Sequence, residues 1–100
     1  MKPFPPIPRV VEGIAGPMRV DRPVNLPDRE FGLFEFETRR IVVKATLPRD
    51  VAWSTLFHEM THAALWDSGT HHLFTERQRE AVCDAVAVAR LAELRRSLGG

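Results

Sequence analysis

The pentapeptide His58-Glu59-Met60-Thr61-His62 is the most informative stretch of this 100-residue sequence. At 3.6 residues per helical turn, His58 and His62 lie one above the other on the same face of a helix. Two imidazoles placed in this way can supply two corners of a tetrahedral zinc site. Glu59 points about 100° away around the helix axis, beside the open coordination position where a general base has to sit. In a chain of this composition the pattern is expected by chance only about 0.01 times.

The pentapeptide lies within a predicted helix from about Val51 to Trp66, with Asp50 as a possible N-cap and a stop near Gly69. On a helical wheel, one apolar stripe forms a core face, made of Trp53, Leu56, Phe57, Met60 and Ala64. His58 and His62 fall nearly opposite that stripe. A pair of histidines that merely pack in a core is therefore the weaker interpretation.

A second helix is predicted from Thr75 to about Leu98, because Thr75-Glu76-Arg77-Gln78 has the spacing of a capping box. One face of this helix carries Glu76, Glu80, Cys83, Asp84, Ala87, Leu91, Leu94 and Leu98. The C-terminal half of this stripe is apolar and should face the core, whereas the N-terminal half is acidic. Carboxylates that continue a core stripe need a partner, because an unpaired buried charge is very costly. A zinc ion held by the facing helix would be that partner.

Three protein ligands and one open position define a catalytic zinc site, and Glu80 is predicted to be the third ligand. Glu76 lies nearer the helix end, where it would interact with the helix dipole. Asp84, one turn after Glu80, suits the orientation of a ligating histidine by accepting its other N–H. Cys83 is the rival ligand, since zinc also accepts thiolate. The alternative is that Glu80 or Asp84 merely pairs with an arginine.

Before the helices, the sequence predicts an extended arm and a small sheet. Residues 1–9 hold four of the eight prolines and should lack regular structure. Short strands are predicted at Met18–Val20, Leu33–Glu37 and Arg40–Ala45. The last two would form a hairpin around Thr38-Arg39, and residues 26–30 read as a polar loop. Strands followed by two helices indicate one α+β domain over residues 1–100, with a small antiparallel sheet.

Composition narrows the function classes. A net charge of +1 gives no electrostatic reason to expect nucleic acid or an anionic membrane surface as a partner. Cys83 is the only cysteine, so no disulfide can form within the chain. The N-terminus has no apolar stretch of signal-peptide length, and no segment approaches the roughly 20 apolar residues of a membrane span. A cytoplasmic location is therefore expected.

The two motifs together resemble a known family. His58-Glu59-Met60-Thr61-His62-Ala63, followed by Glu80-Ala81-Val82-Cys83-Asp84, is similar to the gluzincins, the thermolysin-like clan with a glutamate ligand on the helix after the HExxH helix. The short form looks most like ImmA/IrrE-like peptidases, minigluzincins and small phage-encoded HExxH proteins. The resemblance covers roughly residues 32–98 and implies a minimal zincin-like fold with one zinc per chain. It implies a metallopeptidase site carried by His58, Glu59, His62, Glu80 and Asp84.

The resemblance also implies further parts of such a site. Larger gluzincins stabilise the oxyanion with a downstream histidine or tyrosine, and His71 and His72 are the candidates here. Zincins align a peptide substrate along an edge strand, for which Arg40–Ala45 would be the counterpart. Three alternatives stay open: a structural zinc in a binding or regulatory module, a latent proenzyme whose cleft is covered by the arm, and a regulatory partner of another protein. The arm could also mediate oligomerisation.

Overall fold

A computed structural model describes residues 2–99, except the side chain of Asp28. Met1, the first residue of the predicted arm, and Gly100 lie outside the described residues. Within this range the chain forms β1 (Val10–Gly13), β2 (Gly16–Asp21), β3 (Gly32–Glu35), β4 (Arg40–Val43), α1 (Arg49–Asp67) and α2 (Glu76–Gly99). Two 3-10 turns lie at Pro27–Arg29 and His71–Leu73. The α+β class is confirmed. No helix in the described residues is long and apolar enough to cross a membrane.

The sheet has the strand order β1-β2-β4-β3 and is mixed, so the prediction of an antiparallel sheet is wrong in one respect. β1 pairs with β2 and β3 pairs with β4 in antiparallel fashion, whereas β2 and β4 run parallel. The parallel pair arises because the chain after β2 crosses to the far edge before it forms β3. Arg22 fastens this crossing, since its Nε donates to the Val43 carbonyl at 2.8 Å and its Nη2 to the Lys44 carbonyl at 3.1 Å.

The predicted hairpin exists, but its edge was assigned to the wrong strand. β4 lies between β2 and β3, and its Ile41 and Val43 are fully buried, so it cannot be the edge strand that Arg40–Ala45 was predicted to provide. The edge is β3. The connecting loop is Phe36-Glu37-Thr38-Arg39, longer than the predicted Thr38-Arg39 turn. Arg39 takes a φ of 51°, a left-handed conformation that is uncommon for a residue with a side chain.

The strands before the hairpin extend beyond the prediction. The predicted strand at Met18–Val20 is the centre of β2, and β1 pairs with it although no strand was predicted there. β1 has only four residues and directly follows the proline-rich arm, which hides its strand pattern. The polar loop predicted at residues 26–30 contains one 3-10 turn, Pro27–Arg29.

The core lies between the sheet and α1. Its buried residues are Met18, Val20, Ile41, Val43, Ala52, Leu56 and Ala63. The stripe predicted for α1 is therefore only partly right: Leu56 and Phe57 are buried, whereas Trp53, Met60 and Ala64 are half-buried. A single stripe is too simple because α1 is packed on two sides. Its sheet-facing residues meet the strands, and the Phe57 ring meets the Arg90 guanidinium of α2 at 4.3 Å.

The two helices begin differently. Pro48 occupies the N-cap of α1 and no side chain caps this end, so the prediction of Asp50 as N-cap is wrong. Asp50 lies in the first turn and accepts a hydrogen bond from the Val51 N–H at 2.9 Å. The capping box of α2 is confirmed. Gln78 Oε1 accepts from the Thr75 N–H at 2.9 Å, and Thr75 Oγ1 accepts from the Gln78 N–H at 3.2 Å.

A short and well-bonded connection joins α1 to α2. Gly69 adopts a φ of 75° directly after the last turn of α1, and the Thr70 N–H donates to the Leu65 carbonyl at 3.1 Å. This is the Schellman arrangement, in which a left-handed residue closes a helix. Arg79 of α2 then donates to the carbonyls of His71 (3.1 Å) and Phe74 (2.6 Å). The first turn of α2 therefore fixes the segment that carries His71.

The described part of the N-terminal arm contains neither helix nor strand, as predicted, but it is packed on the domain. The indole N–H of Trp53 donates to the Pro5 carbonyl at 2.8 Å, and Arg49 donates to the Phe4 carbonyl at 2.8 Å. The side chain of Ile7 packs against the core. The Lys2 N–H donates to the Leu98 carbonyl near the end of α2. The arm therefore links the start of α1 to the end of α2.

Candidate metal centre

The two histidines of the pentapeptide converge as helix geometry requires. His58 and His62 are one turn apart on α1, and both side chains are largely covered. Their Nε2 atoms are 3.2 Å apart, and the rings meet edge to face with centroids 4.9 Å apart. Both Nε2 atoms therefore point at the same small volume.

α2 brings two carboxylates to this volume. Glu80 Oε2 lies 3.0 Å from His58 Nε2, and Glu80 Oε1 lies 2.9 Å from His62 Nε2. Asp84 Oδ1 lies 2.8 Å from the other ring nitrogen of His58, Nδ1. The structure thus brings four predicted site residues into contact: the two histidines, Glu80 and Asp84.

The contacts place electron-rich atoms face to face. An ionised carboxylate has no proton to donate, so the contact with Asp84 requires an N–H at Nδ1 of His58. In a neutral ring with its proton on Nδ1, Nε2 carries a lone pair. That lone pair faces His62 Nε2 and a Glu80 oxygen, and either a proton on His62 Nε2 or a metal ion among these atoms would offset their repulsion. Tetrahedral zinc with bonds of about 2.0–2.1 Å would separate its ligand atoms by roughly 3.3–3.4 Å. The observed spacing of 2.9–3.2 Å is close to that value. The group formed by His58, His62, Glu80 and Asp84 could hold a metal ion.

The burial argument that led to Glu80 is wrong, although Glu80 stands at the predicted place. The side chains of Glu80 and Asp84 are 51% and 72% exposed. On α2 only Cys83 and Ala87 are fully buried. The reason is that α2 packs chiefly on α1, so the acidic half of its stripe lies along the rim of an open cleft. Proximity to two imidazoles, and not burial, brings Glu80 into the site.

Glu59 lies on the sheet-facing side of α1 and is only 8% exposed. Gly32 of β3 makes room for it. A Cβ on Gly32 would lie 3.6 Å from Glu59 Cγ and 2.6 Å from Thr55 Cγ2, so a side chain there would push the edge strand away. Burial, together with the negative charges of Glu80 and Glu30, raises the pKa of Glu59 to about 8. A cation at the histidines would lower that pKa, since a nearby opposite charge favours the ionised form.

Cys83 forms a second donor group with the histidines. It is fully buried, and its Sγ lies within 4.8 Å of one ligand atom each of His58 and His62. Burial raises the pKa of the Cys83 thiol to about 12, and the charges of Glu80, Glu59 and Asp84 act in the same direction. The rival ligand anticipated from the sequence is thus also near the site.

An open cleft of about 900 Å³ runs past these residues, between β3 with its flanking loops and α2. His71 lines the cleft, whereas the exposed His72 does not, so only one of the two candidate donors faces the site. Burial and the nearby Arg79 charge lower the pKa of His71. The described part of the arm lines none of the cleft. In this structure the described part of the arm therefore does not cover the site.

Sequence reasoning missed one feature of the cleft, its aromatic side. Phe36 from the β3–β4 loop and Trp66 from the end of α1 stack with ring centroids 4.3 Å apart, and both line the cleft. One signal was present in the sequence. Trp66 follows His62 by four residues, the spacing that puts two side chains on the same helix face.

Comparisons with protein-family profiles, with curated proteins and with solved structures find no match to this chain.

Proposed function

We propose that this protein is a zinc-dependent metallopeptidase of the gluzincin type. The observation that carries the proposal is the convergence of two imidazoles and one carboxylate at an open cleft. His58 Nε2 and His62 Nε2 are 3.2 Å apart, and the two oxygens of Glu80 lie 3.0 Å from the first and 2.9 Å from the second. Three protein ligands of this kind leave one coordination position free, which is the arrangement of catalytic zinc sites. Asp84 would hold the ring of His58 in place through Nδ1.

Zinc suits this donor set because two imidazoles and one carboxylate are its common catalytic ligands. When bound, zinc supplies a Lewis acid that polarises a peptide carbonyl and makes a water molecule acidic enough to attack at neutral pH. Glu59 is the general base in this proposal. It follows His58 directly, is not among the converging ligand atoms, and would accept the proton of the attacking water and pass it to the leaving amine.

The substrate is proposed to be a peptide or an extended segment of a protein. β3 is the edge of the sheet on the cleft side, and Gly32 and Phe34 of this strand line the cleft. An edge strand presents unpaired backbone groups, so an extended peptide can add to it as a further strand. We therefore assign the alignment of the peptide substrate to β3, and not to β4, for which the sequence had predicted it.

A structural zinc site is the second candidate, and the position of Cys83 favours it. If Cys83 joined His58, His62 and Glu80, all four zinc positions would be filled by the protein, and a closed site of this kind is structural. The two candidates differ in the effect of Cys83→Ser. A catalytic site keeps its zinc in this variant, whereas a closed four-ligand site loses affinity.

The test of the proposal compares wild type with Glu59→Gln. Glutamine is nearly isosteric and keeps hydrogen-bonding capacity, but it cannot accept the proton. We expect one zinc per chain in both proteins and a loss of peptide hydrolysis of roughly 10²–10⁴-fold in the variant. Zinc is measured by elemental analysis and hydrolysis on a diverse peptide mixture. Equal cleavage by both proteins would mean a contaminating protease, and absence of cleavage by wild type would leave the structural site as the better account.

A further inference from the structure

Three aromatic side chains form a continuous surface beside the candidate metal centre, here called the aromatic wall: Phe36, Trp66 and His71. The Phe36 and Trp66 rings stack at 4.3 Å with an interplanar angle of 31°, and the Trp66 and His71 rings meet edge to face at 5.3 Å. All three residues line the cleft. Phe36 and Trp66 nevertheless stay 48% and 41% exposed.

The place of the wall ties it to the ligand atoms. Trp66 is one helical turn beyond His62 on α1, so its side chain lies on the same helix face as the imidazole. The stack thus continues the cleft directly from the ligand atoms towards the end of α1. An exposed group of large apolar side chains in a concave site is typical of a ligand-binding surface.

The wall is also held in place before any ligand arrives. Arg39, at the end of the loop that carries Phe36, makes a two-pronged ion pair with Asp67, the residue after Trp66, at 2.6 and 3.1 Å. On the other side, Arg79 donates to the His71 carbonyl at 3.1 Å. Side chains fixed in this way lose little freedom when they bind, which favours affinity and selectivity.

We propose that the aromatic wall is the subsite for a large apolar or aromatic side chain of the peptide substrate, next to the bond that is cleaved. The inference rests on the proposed peptidase function, because it defines the substrate of that same site. The exposed parts of Phe36 and Trp66 offer an apolar surface on which a phenylalanine, leucine or methionine side chain can pack. A small or acidic residue at that position gains none of this contact. The carboxylates of Glu30, Glu76 and Glu80 line the same cleft and outnumber its one guanidinium, that of Arg29, which disfavours an acidic residue.

The experiment uses Trp66→Ala, with Leu73→Ala as its matched control. Leu73 is an apolar residue of the same connection and is 68% exposed, but it does not line the cleft. Cleavage positions in a peptide mixture are read by mass spectrometry for wild type and both variants. Binding is measured separately, on zinc-loaded proteins carrying Glu59→Gln, with fluorescent peptides that contain either Phe or Ala at one fixed position.

We expect wild type to cleave next to large apolar residues, enriched at one position on one side of the bond. Trp66→Ala should reduce that preference, and the affinity for the Phe peptide, by roughly 10–100-fold, the range of a lost apolar contact. Binding of the Ala peptide should barely change, and Leu73→Ala should behave like wild type. Circular dichroism establishes that each variant is folded. Phe36→Ala, on the loop, replaces Trp66→Ala if the helix variant does not fold.

The two readouts separate the failure of this inference from the failure of the proposed function. If wild type cleaves peptides without an apolar preference, or Trp66→Ala keeps the preference, the aromatic wall is not the subsite. If wild type cleaves nothing, the peptidase proposal fails, and the binding measurement decides about the wall. Equal affinity for the Phe and Ala peptides, or equal loss of affinity in the Leu73→Ala control, would then overturn the inference.

Discussion

α1 and α2 both contribute residues to the candidate site, but the two helices differ in how deeply those residues are buried. α1 is packed between the sheet and α2, and its Glu59 is buried beside β3. α2 packs chiefly against α1 and presents Glu80 and Asp84 from an exposed rim. Side chains on α1 are therefore fixed by packing, whereas the carboxylates of α2 are placed by one helix–helix contact and by the imidazoles they face. The proposed base and the two proposed nitrogen ligands come from the more tightly packed helix, and the proposed third ligand comes from the more exposed one.

This difference predicts unequal effects when single ligands are removed. We expect His62→Ala to abolish stoichiometric zinc binding, because the remaining imidazole and an exposed carboxylate make a poor site. Glu80→Ala should weaken binding but leave the histidine pair able to retain zinc. In wild type, zinc at about 1,000 times its Kd would stabilise the fold by about 4 kcal/mol. Melting with and without zinc measures that gain, which should vanish in His62→Ala and persist in part in Glu80→Ala.

Glu93→Gln is the control for this pair, because Glu93 is an exposed carboxylate of α2 that does not line the cleft. It should behave like wild type. Equal zinc affinity in wild type and Glu80→Ala, with loss in Cys83→Ser, would show that the buried thiol and not the exposed carboxylate is the third ligand.

The second prediction concerns the C-terminal end of α1, where the side chain of Asp67 is buried and accepts hydrogen bonds from Arg39 and the Ala15 N–H. The hydrogen bond with Arg39 lowers the pKa of Asp67. A lowered pKa in the folded state stabilises the fold above the unfolded value of about 3.9, and this stabilisation is lost as the pH falls through the folded value. Asn cannot ionise, so Asp67→Asn removes the contribution at all pH values.

We therefore expect Asp67→Asn to melt well below wild type at pH 7, and the difference to shrink below about pH 4. Hydrogen bonds to a charged group contribute about 1.5–3 kcal/mol. In a domain of this size that corresponds to a Tm difference on the order of 10 °C. Thermal unfolding at pH 7, 5 and 3 checks it. A Tm difference that does not change with pH would mean that the charge of Asp67 is not what stabilises this end of α1.

The same contrast explains which parts of the molecule the sequence could predict. The pairing of His58 with His62 follows from helix geometry over four residues, and so does the spacing of Glu80 and Asp84. The capping box at Thr75 is equally local. The mixed sheet and the edge position of β3 depend on where the chain crosses after β2, which the guanidinium of Arg22 fastens through contacts distant in sequence. Local patterns do not carry such information.

The burial of individual site residues was the least predictable property. Glu59 is buried because β3 has Gly32 opposite it, and Glu80 is half-exposed because it lies at the rim of an open cleft. Both facts depend on the arrangement of neighbouring elements. The sequence thus predicted which residues come together on the two helices better than it predicted their surroundings.

The last and smallest effect is expected from the N-terminal arm, which provides α2 with a second attachment. Its contacts join Trp53 and Arg49 of α1 to the far end of α2, where the Lys2 N–H meets the Leu98 carbonyl.

Deletion of residues 2–8 removes a few exposed hydrogen bonds, each worth about 0.5–1.5 kcal/mol, and the packing of Ile7. We expect a fall in Tm of a few degrees, faster amide exchange in the C-terminal half of α2, and unchanged exchange at the pentapeptide of α1. Zinc content should stay at one per chain, because the arm lines none of the cleft.

Amide exchange read by mass spectrometry, with Trp53→Phe as the single-bond control, separates these outcomes. Size-exclusion chromatography of the same proteins tests whether the arm also joins two chains. If deletion instead speeds exchange around His58 and His62, then α1 depends on the arm as much as α2 does, and the contrast between the two helices does not hold.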